Sequence, residues 1–274
     1  MRKPRTLRSL CLCALLAFAG LAAAQEKPVV IEPRPGVTLR FLIEMPAKGD
    51  KPLGSVILLV GSHGNLDLSE DGRIGWGGGN QLVRTRSQYA RAGYVTVTAD
   101  IASDFKLPGS ATGGYRWSDP HATDLGAIVQ YLRKVAEPVY LVGTSRAALS
   151  VGNAAVRLSG PARPDAVVIT AGMLMERSPK QPNVQRSVGR LERITMPVLL
   201  VHHERDECVY TPAADVEPFA KLLTGAPRVE TRMLRGGFIK GDPCDAQSYH
   251  GFLGIDGEVV STVTGWLKGL PQGK

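Results

Sequence analysis

Val139-Tyr140-Leu141-Val142-Gly143-Thr144-Ser145-Arg146-Ala147-Ala148-Leu149 is the stretch that decides how this chain folds. Its first part is short, apolar and β-branched, as a strand buried on both faces should be. Its second part opens a helical run over 147–158. Between them lies Gly143-Thr144-Ser145-Arg146-Ala147. A tight strand-to-helix turn can push a serine hydroxyl outward only if the residues two before and two after it are small, and here they are Gly143 and Ala147. The turn also sets Ser145 at a helix N-terminus, where the dipole and free N–H groups favour negative charge. A serine capping an ordinary helix would look the same in isolation, so Ser145 needs support from elsewhere in the chain.

Working outward, similar short apolar runs lie at 55–60, 94–99, 138–142, 166–170 and 197–201, with a further strand at 228–234. Helical patterns separate them at 81–91, 122–135, 147–158 and 213–223, and a last helix is expected at 257–267. An opening hairpin, 29–32 and 37–44, turns at Pro35-Gly36. Strands alternating with helices predict an α/β chain with a mostly parallel sheet covered on both faces and right-handed crossovers. In such sheets the reacting groups sit at the carboxyl ends of the strands.

The amino terminus reads as a targeting segment. Arg2, Lys3, Arg5 and Arg8 precede an apolar run over 10–24 that ends in Ala22-Ala23-Ala24, so residues 1–24 are expected to be a signal peptide cleaved before Gln25. The apolar run is shorter than the roughly 20 residues that cross a bilayer, so no stable membrane insertion is expected after cleavage. Cleavage removes four basic and no acidic residues and halves the formal charge of +8, too mild a balance to argue for nucleic acid. It leaves Cys208 and Cys244, which in a secreted or periplasmic chain read as a disulfide. Residues 25–274, without repeats or low-complexity linkers, are expected to form a single domain.

A serine nucleophile needs an imidazole to take its proton and a carboxylate to orient the imidazole. Of the five histidines, His250 lies in a loop between the last strand and the last helix, on the reactive edge. His202 and His203 end an apolar strand, His121 reads as a surface residue in the first turn of its helix, and His63 as a loop histidine. Asp206 follows the 197–201 strand, where its side chain can turn back towards His250; Glu204 and Asp245 are its rivals. His202, His203 and Asp206 are not expected to bind metal, because adjacent strand residues point to opposite faces. Arg84, Arg86, Arg91 and Arg146 read as a solvated face rather than an anion-binding rim.

The order Ser145, Asp206, His250, each at a strand end, resembles the α/β-hydrolase family over nearly the whole chain after residue 24. The resemblance implies a roughly eight-stranded, mostly parallel sheet, with Ser145 as nucleophile, Asp206 as acid and His250 as base. Ala147 stands where the family more often has glycine. Two backbone N–H groups would form an oxyanion hole. One is that of Arg146; the other comes from the Gly61-Ser62-His63-Gly64-Asn65 loop, where Ser62 is preferred to Asn65 because it lies nearer the strand tip. The Gly-rich stretch 67–80, with Trp76, is either a lip beside that loop or a plain surface loop. Residues 171–196 leave room for a short helix or two but not for a large hydrophobic lid, which suits small or soluble esters. The expected activity is therefore a carboxylic ester hydrolase without cofactor. A serine peptidase or amidase on the same triad, and a binding protein on a hydrolase scaffold, are the alternatives.

Overall fold

The computed structural model describes residues 26–47, 51–106 and 114–271, so the expected leader and its cleavage site lie outside the described residues. Eight strands form one sheet: β1 (Lys27–Arg34), β2 (Val37–Glu44), β3 (Ser55–Leu59), β4 (Val95–Ala102), β5 (Val139–Thr144), β6 (Ala166–Thr170), β7 (Val198–His203) and β8 (Val229–Leu234). Five α-helices accompany them: α1 (Gln81–Arg91), α2 (Asp119–Arg133), α3 (Ala148–Arg157), α4 (Val216–Ala220) and α5 (Asp256–Lys268). The spatial order is β1-β2-β4-β3-β5-β6-β7-β8, with the β1–β2 and β2–β4 pairs antiparallel and every later pair parallel. The crossovers reverse direction at β3, and ligand sites of open parallel sheets form at such a switch.

The continuous apolar runs are explained by burial on both faces. Ile57 and Leu59 of β3, Leu141 of β5 and Val198 and Leu200 of β7 pack into one core, with α2 and α3. The intervening Val56, Leu58, Tyr140, Val142, Leu199 and Val201 pack into a second core, with α1 and α5. Side chains that alternate between faces therefore all need to be apolar. Only the edge strands β1 and β8 are substantially exposed.

Two expectations change. The helix at 213–223 shrinks to a 3-10 turn, Ala213–Asp215, and the five residues of α4. Pro218 cannot donate the i→i−4 bond that would fuse the two. Between β6 and β7, in keeping with the room expected there, lie two short helical segments, a π-turn, Val184–Val188, and a 3-10 turn, Leu191–Arg193, and no α-helix. His121 does lie in the first turn of α2, whose N-cap is Ser118, but it is buried and its Nε2 meets Ser150 Oγ of α3 at 2.9 Å. Helix amphipathicity could not show that α3 covers this turn.

Burial, followed by the charges of Arg116 and Arg34, pushes the His121 imidazole down to about 3. In the unfolded chain it takes its proton at about 6.5. Between those values the unfolded state binds the extra proton, so this part of the stability is complete above the unfolded value and falls as pH drops towards the folded one. Urea midpoints should therefore fall more steeply between neutral pH and about pH 4 in the wild type than in His121→Gln, whose side chain does not titrate over that range. Parallel pH profiles for the two would disprove this role.

The Cys208–Cys244 disulfide is formed, joining the loop after β7 to the loop before α5 across a sequence separation of 36. Closing a loop of that length removes unfolded-state entropy worth roughly 3 to 4 kcal/mol. Cys208→Ser with Cys244→Ser should lower the melting temperature by on the order of 10 °C for a chain this size. Calorimetry, together with unreduced peptide mapping that recovers the two cysteines in one linked species, checks both statements.

Candidate active site

The chain leaves β5 through Ser145 with φ +56°, a left-handed conformation that a non-glycine residue adopts at a cost of about 1–3 kcal/mol. A 3-10 turn, Ser145–Ala147, then leads into α3. The small flanking residues have a visible reason. A Cβ on Gly143 would stand 2.6 Å from Val151 Cγ2 and 2.9 Å from the Ala147 carbonyl oxygen. Ala147 is fully buried, and its methyl group is accommodated there. From the neighbouring β3 the chain passes so close that a Cβ on Gly61 would stand 2.9 Å from Ser145 Cβ and 3.1 Å from the Thr144 carbonyl oxygen.

That close approach brings Ser62, also left-handed at φ +48°, to the wall of the cleft that Ser145 and Arg146 line. Asn65 is absent from the cleft lining, and its N–H is already engaged by His63 Nδ1 at 3.2 Å. His63 packs against Trp76 with ring centroids 3.8 Å apart. Its imidazole is lowered by burial, then by the charges of Arg116 and Arg146.

His250 and Asp206 meet as their places in the sequence suggested. His250 Nδ1 lies 2.9 Å from Asp206 Oδ2, and both residues are buried. An ionised carboxylate only accepts, so Nδ1 carries the proton and Nε2 keeps its lone pair. Thr211 Oγ1 donates to Asp206 Oδ2 at 3.0 Å and lies 2.9 Å from His250 Nδ1. The Cys208 N–H donates to Asp206 Oδ1 at 3.0 Å. His202 Nε2 stands 3.1 Å from Asp206 Oδ2 and 2.8 Å from the Thr211 carbonyl oxygen. Burial acts to raise the Asp206 carboxyl, but the hydrogen bonds and charges of His202 and His250 outweigh it and hold the group well below the usual carboxylate range.

The rivals go elsewhere. Glu204 pairs with Arg235 at 2.7 Å, and Asp245 lies on the cleft wall without a hydrogen bond to His250. His203 turns to the Gly236 carbonyl oxygen at 2.8 Å and stacks on Tyr249. Arg84 is neither a rim nor a solvated residue: it pairs with Asp256 at 2.9 Å and donates to the Gly251 carbonyl oxygen at 2.6 Å, bracing the His250 loop. Arg86 pairs with Glu26 at 2.7 Å, and Arg91 is exposed. Gly251 is required because a Cβ there would collide with the Ala246 carbonyl oxygen. Sequence reasoning missed Thr211, His202 and Arg84. Only His202 carried a signal, its position four residues before Asp206 at a strand end.

The cleft holds about 520 Å³, within the range for small-molecule sites. Ser145 and His250 face it together, without a hydrogen bond between them in this structure. Trp76, Tyr210 and Lys240 form its rim, and the Cys208–Cys244 disulfide lies in its wall. A larger depression of about 1050 Å³ lies at the opposite ends of the strands, beside Pro138 and Pro197, and contains no serine, cysteine or histidine.

No protein-family model matches the chain, and no curated protein sequence matches it. Solved structures do. An esterase from Pyrococcus furiosus is similar at 17% identity with a TM-score of 0.62, over 89% of this chain and 91% of that one. A soluble variant of monoglyceride lipase from Saccharomyces cerevisiae, in complex with a substrate analogue, gives 11% identity and a TM-score of 0.60 over 90% and 96%. Est1E from Butyrivibrio proteoclasticus with ferulic acid bound gives 17% identity and 0.56 over 88% and 96%. Strand order, the serine turn between β5 and α3 and this likeness over most of each chain identify the α/β-hydrolase fold.

Proposed function

We propose that this chain is a serine hydrolase of small or soluble carboxylic esters, working through Ser145, His250 and Asp206 and an acyl-enzyme intermediate. The observation that carries this reading is the buried 2.9 Å contact of His250 Nδ1 with Asp206, which leaves Nε2 unprotonated in a cleft that also exposes Ser145. Nε2 takes the Ser145 proton as Oγ attacks the ester carbonyl, and the Asp206 carboxylate stabilises the imidazolium that forms. The N–H groups of Ser62 and Arg146 receive the oxyanion. His250 then gives its proton to the departing alcohol, and a water attacks the acyl group by the same route. In a structure without substrate, catalytic hydrogen bonds such as Ser145 to Nε2 are often long and tighten only when substrate binds.

The absence of any α-helix between β6 and β7 among the described residues leaves the cleft without a helical cap. With Trp76 and Tyr210 at its rim, it favours a compact or aromatic ester over a long acyl chain. Est1E, similar in fold, has been solved with the aromatic acid ferulic acid bound. The disulfide beside the cleft accords with the oxidising compartment to which the expected leader would direct the chain.

Ser145→Ala should abolish labelling by a fluorophosphonate and lower the turnover of p-nitrophenyl acetate by about 10⁴-fold or more while leaving the melting curve unchanged. His250→Ala should cost about as much, because the two act as one unit, whereas His63→Ala should cost less than about tenfold. Wild-type turnover in folded Ser145→Ala would refute the reading.

The pH dependence follows from Asp206. With its carboxyl held below the usual range it stays ionised, so the acid limb of kcat/KM should follow one ionisation rather than two. A second ionisation on the acid limb, above about pH 4, would show that Asp206 is not held as described.

A further inference from the structure

Arg116 is buried, 3% exposed, in the 3-10 turn Gly114–Trp117 that leads into α2. No carboxylate pairs with it among the described residues; its terminal nitrogens donate to backbone oxygens and one hydroxyl. One terminal nitrogen donates to the carbonyl oxygens of Val60, Gly61 and Ser62 at 2.9, 3.2 and 3.1 Å. The other donates to Ser150 Oγ on α3 at 2.9 Å. Beside it, the Tyr115 hydroxyl donates to the His63 carbonyl oxygen at 2.8 Å. Four consecutive carbonyls of the loop after β3 are thus held by two adjacent side chains. Further along, the N–H groups of Leu66 and Leu68 donate to Asp100 at 2.8 and 3.0 Å. Burial of an unpaired guanidinium is costly, and burial lowers this one accordingly. Ion pairing does not offset that cost here.

In a trans peptide the C=O and the following N–H point in opposite directions. The Gly61 carbonyl faces Arg116, so the Ser62 N–H of the same peptide unit points away from it, on the cleft side that Gly61 and Ser62 line. A charged donor on a carbonyl also polarises the peptide and strengthens its N–H as a donor. Ser150 lies on the helix that begins just after Ser145, so the same guanidinium joins the carrier of the Ser62 N–H to the carrier of the Arg146 N–H.

We propose that Arg116 is a positioning residue for ester hydrolysis: its buried guanidinium aims and strengthens the Ser62 N–H and fixes its spacing from the Arg146 N–H, assembling the oxyanion hole. This rests on the serine-hydrolase reading above. The guanidinium touches neither substrate nor nucleophile. Its effect should therefore appear in transition-state binding and turnover rather than in ground-state binding.

The test compares wild type, Arg116→Gln, Arg116→Lys and Ser150→Ala for melting temperature, for kcat and KM on p-nitrophenyl acetate, and for inhibition by phenylboronic acid, which forms a tetrahedral adduct on serine. Arg116→Gln should lower kcat by about 100-fold, the order seen when one oxyanion donor is lost, with KM within about threefold and boronate affinity weakened in parallel with kcat. Lysine keeps the charge but not the fork, so it should recover only part of the loss. Should Arg116→Gln not fold, Ser150→Ala decides: freeing the guanidinium from α3 should lower kcat and boronate affinity together, by about three- to tenfold, less than the full worth of one hydrogen bond to a charged group because the contacts to the loop carbonyls remain. Folded Arg116→Gln, or failing that Ser150→Ala, with wild-type kcat and boronate affinity would overturn the proposal. So would a loss of kcat without the matching loss of boronate affinity, since that describes a structural defect alone. Wild-type protein that neither binds boronate at Ser145 nor cleaves the ester would remove the hydrolase reading as well, so the two failures are distinct.

Discussion

The near contact of two backbones at the carboxyl ends of β3 and β5 governs the rest of this molecule. A single Cβ at Gly61 would be too close to Ser145, and a single Cβ at Gly143 too close to α3. Because neither exists, the loop after β3 and the turn after β5 can stand side by side at the crossover reversal, where residues of both line one cleft. The strain is local and repeated: Ser62, Ser145 and, after β6, Ala171 all adopt left-handed backbone without being glycine. Such conformations persist only when their surroundings over-determine them. Here the surroundings are two cores packed on either face of the sheet.

Charge is arranged around the cleft by the same logic. On one side Asp206 is buried and accepts from His250, Thr211 and the Cys208 N–H, with His202 Nε2 3.1 Å away, so its negative charge is shared among several neighbours. On the other side Arg116 is buried with carbonyl oxygens and one hydroxyl as partners. Each ion is held by several dipoles rather than by a single opposite charge, which keeps its contacts directional. A carboxylate behind the imidazole and a guanidinium behind the serine turn would favour the charge separation of an acyl-transfer transition state, positive at the imidazole and negative at the oxyanion.

The disulfide and Arg84 act at the periphery of this arrangement. Cys208 follows Asp206 by two residues and Cys244 precedes His250 by six, so the covalent bond ties together the two loops whose side chains must meet. Arg84 reaches from α1 to the carbonyl oxygen of Gly251, immediately after His250, and closes the other flank. Held in this way, the loops give His250 a set orientation before any ligand arrives, and such preorganisation avoids an ordering cost at the moment of binding.

Much of this was legible in the residues themselves. Buried parallel strands require unbroken apolar runs, so β3, β5, β6 and β7 could be read from composition to within a few residues, and Gly143-x-Ser145-x-Ala147 marked a strained turn because few other residues fit one. Two cysteines behind a leader-like segment implied a bond between them. What the sequence could not convey is which distant side chains share a space. Nothing near Thr211 distinguishes it from other loop threonines, Arg116 lies more than fifty positions from the carbonyls it holds, and His121 looks like a surface residue until α3 covers it. Pairings at that separation are determined by the packing of helices on the sheet. The sequence by itself therefore determined the order of elements and the chemical groups available at the strand ends. Only the tertiary structure decided which polar groups support them, because a buried polar atom takes whatever partner the fold brings within hydrogen-bonding distance.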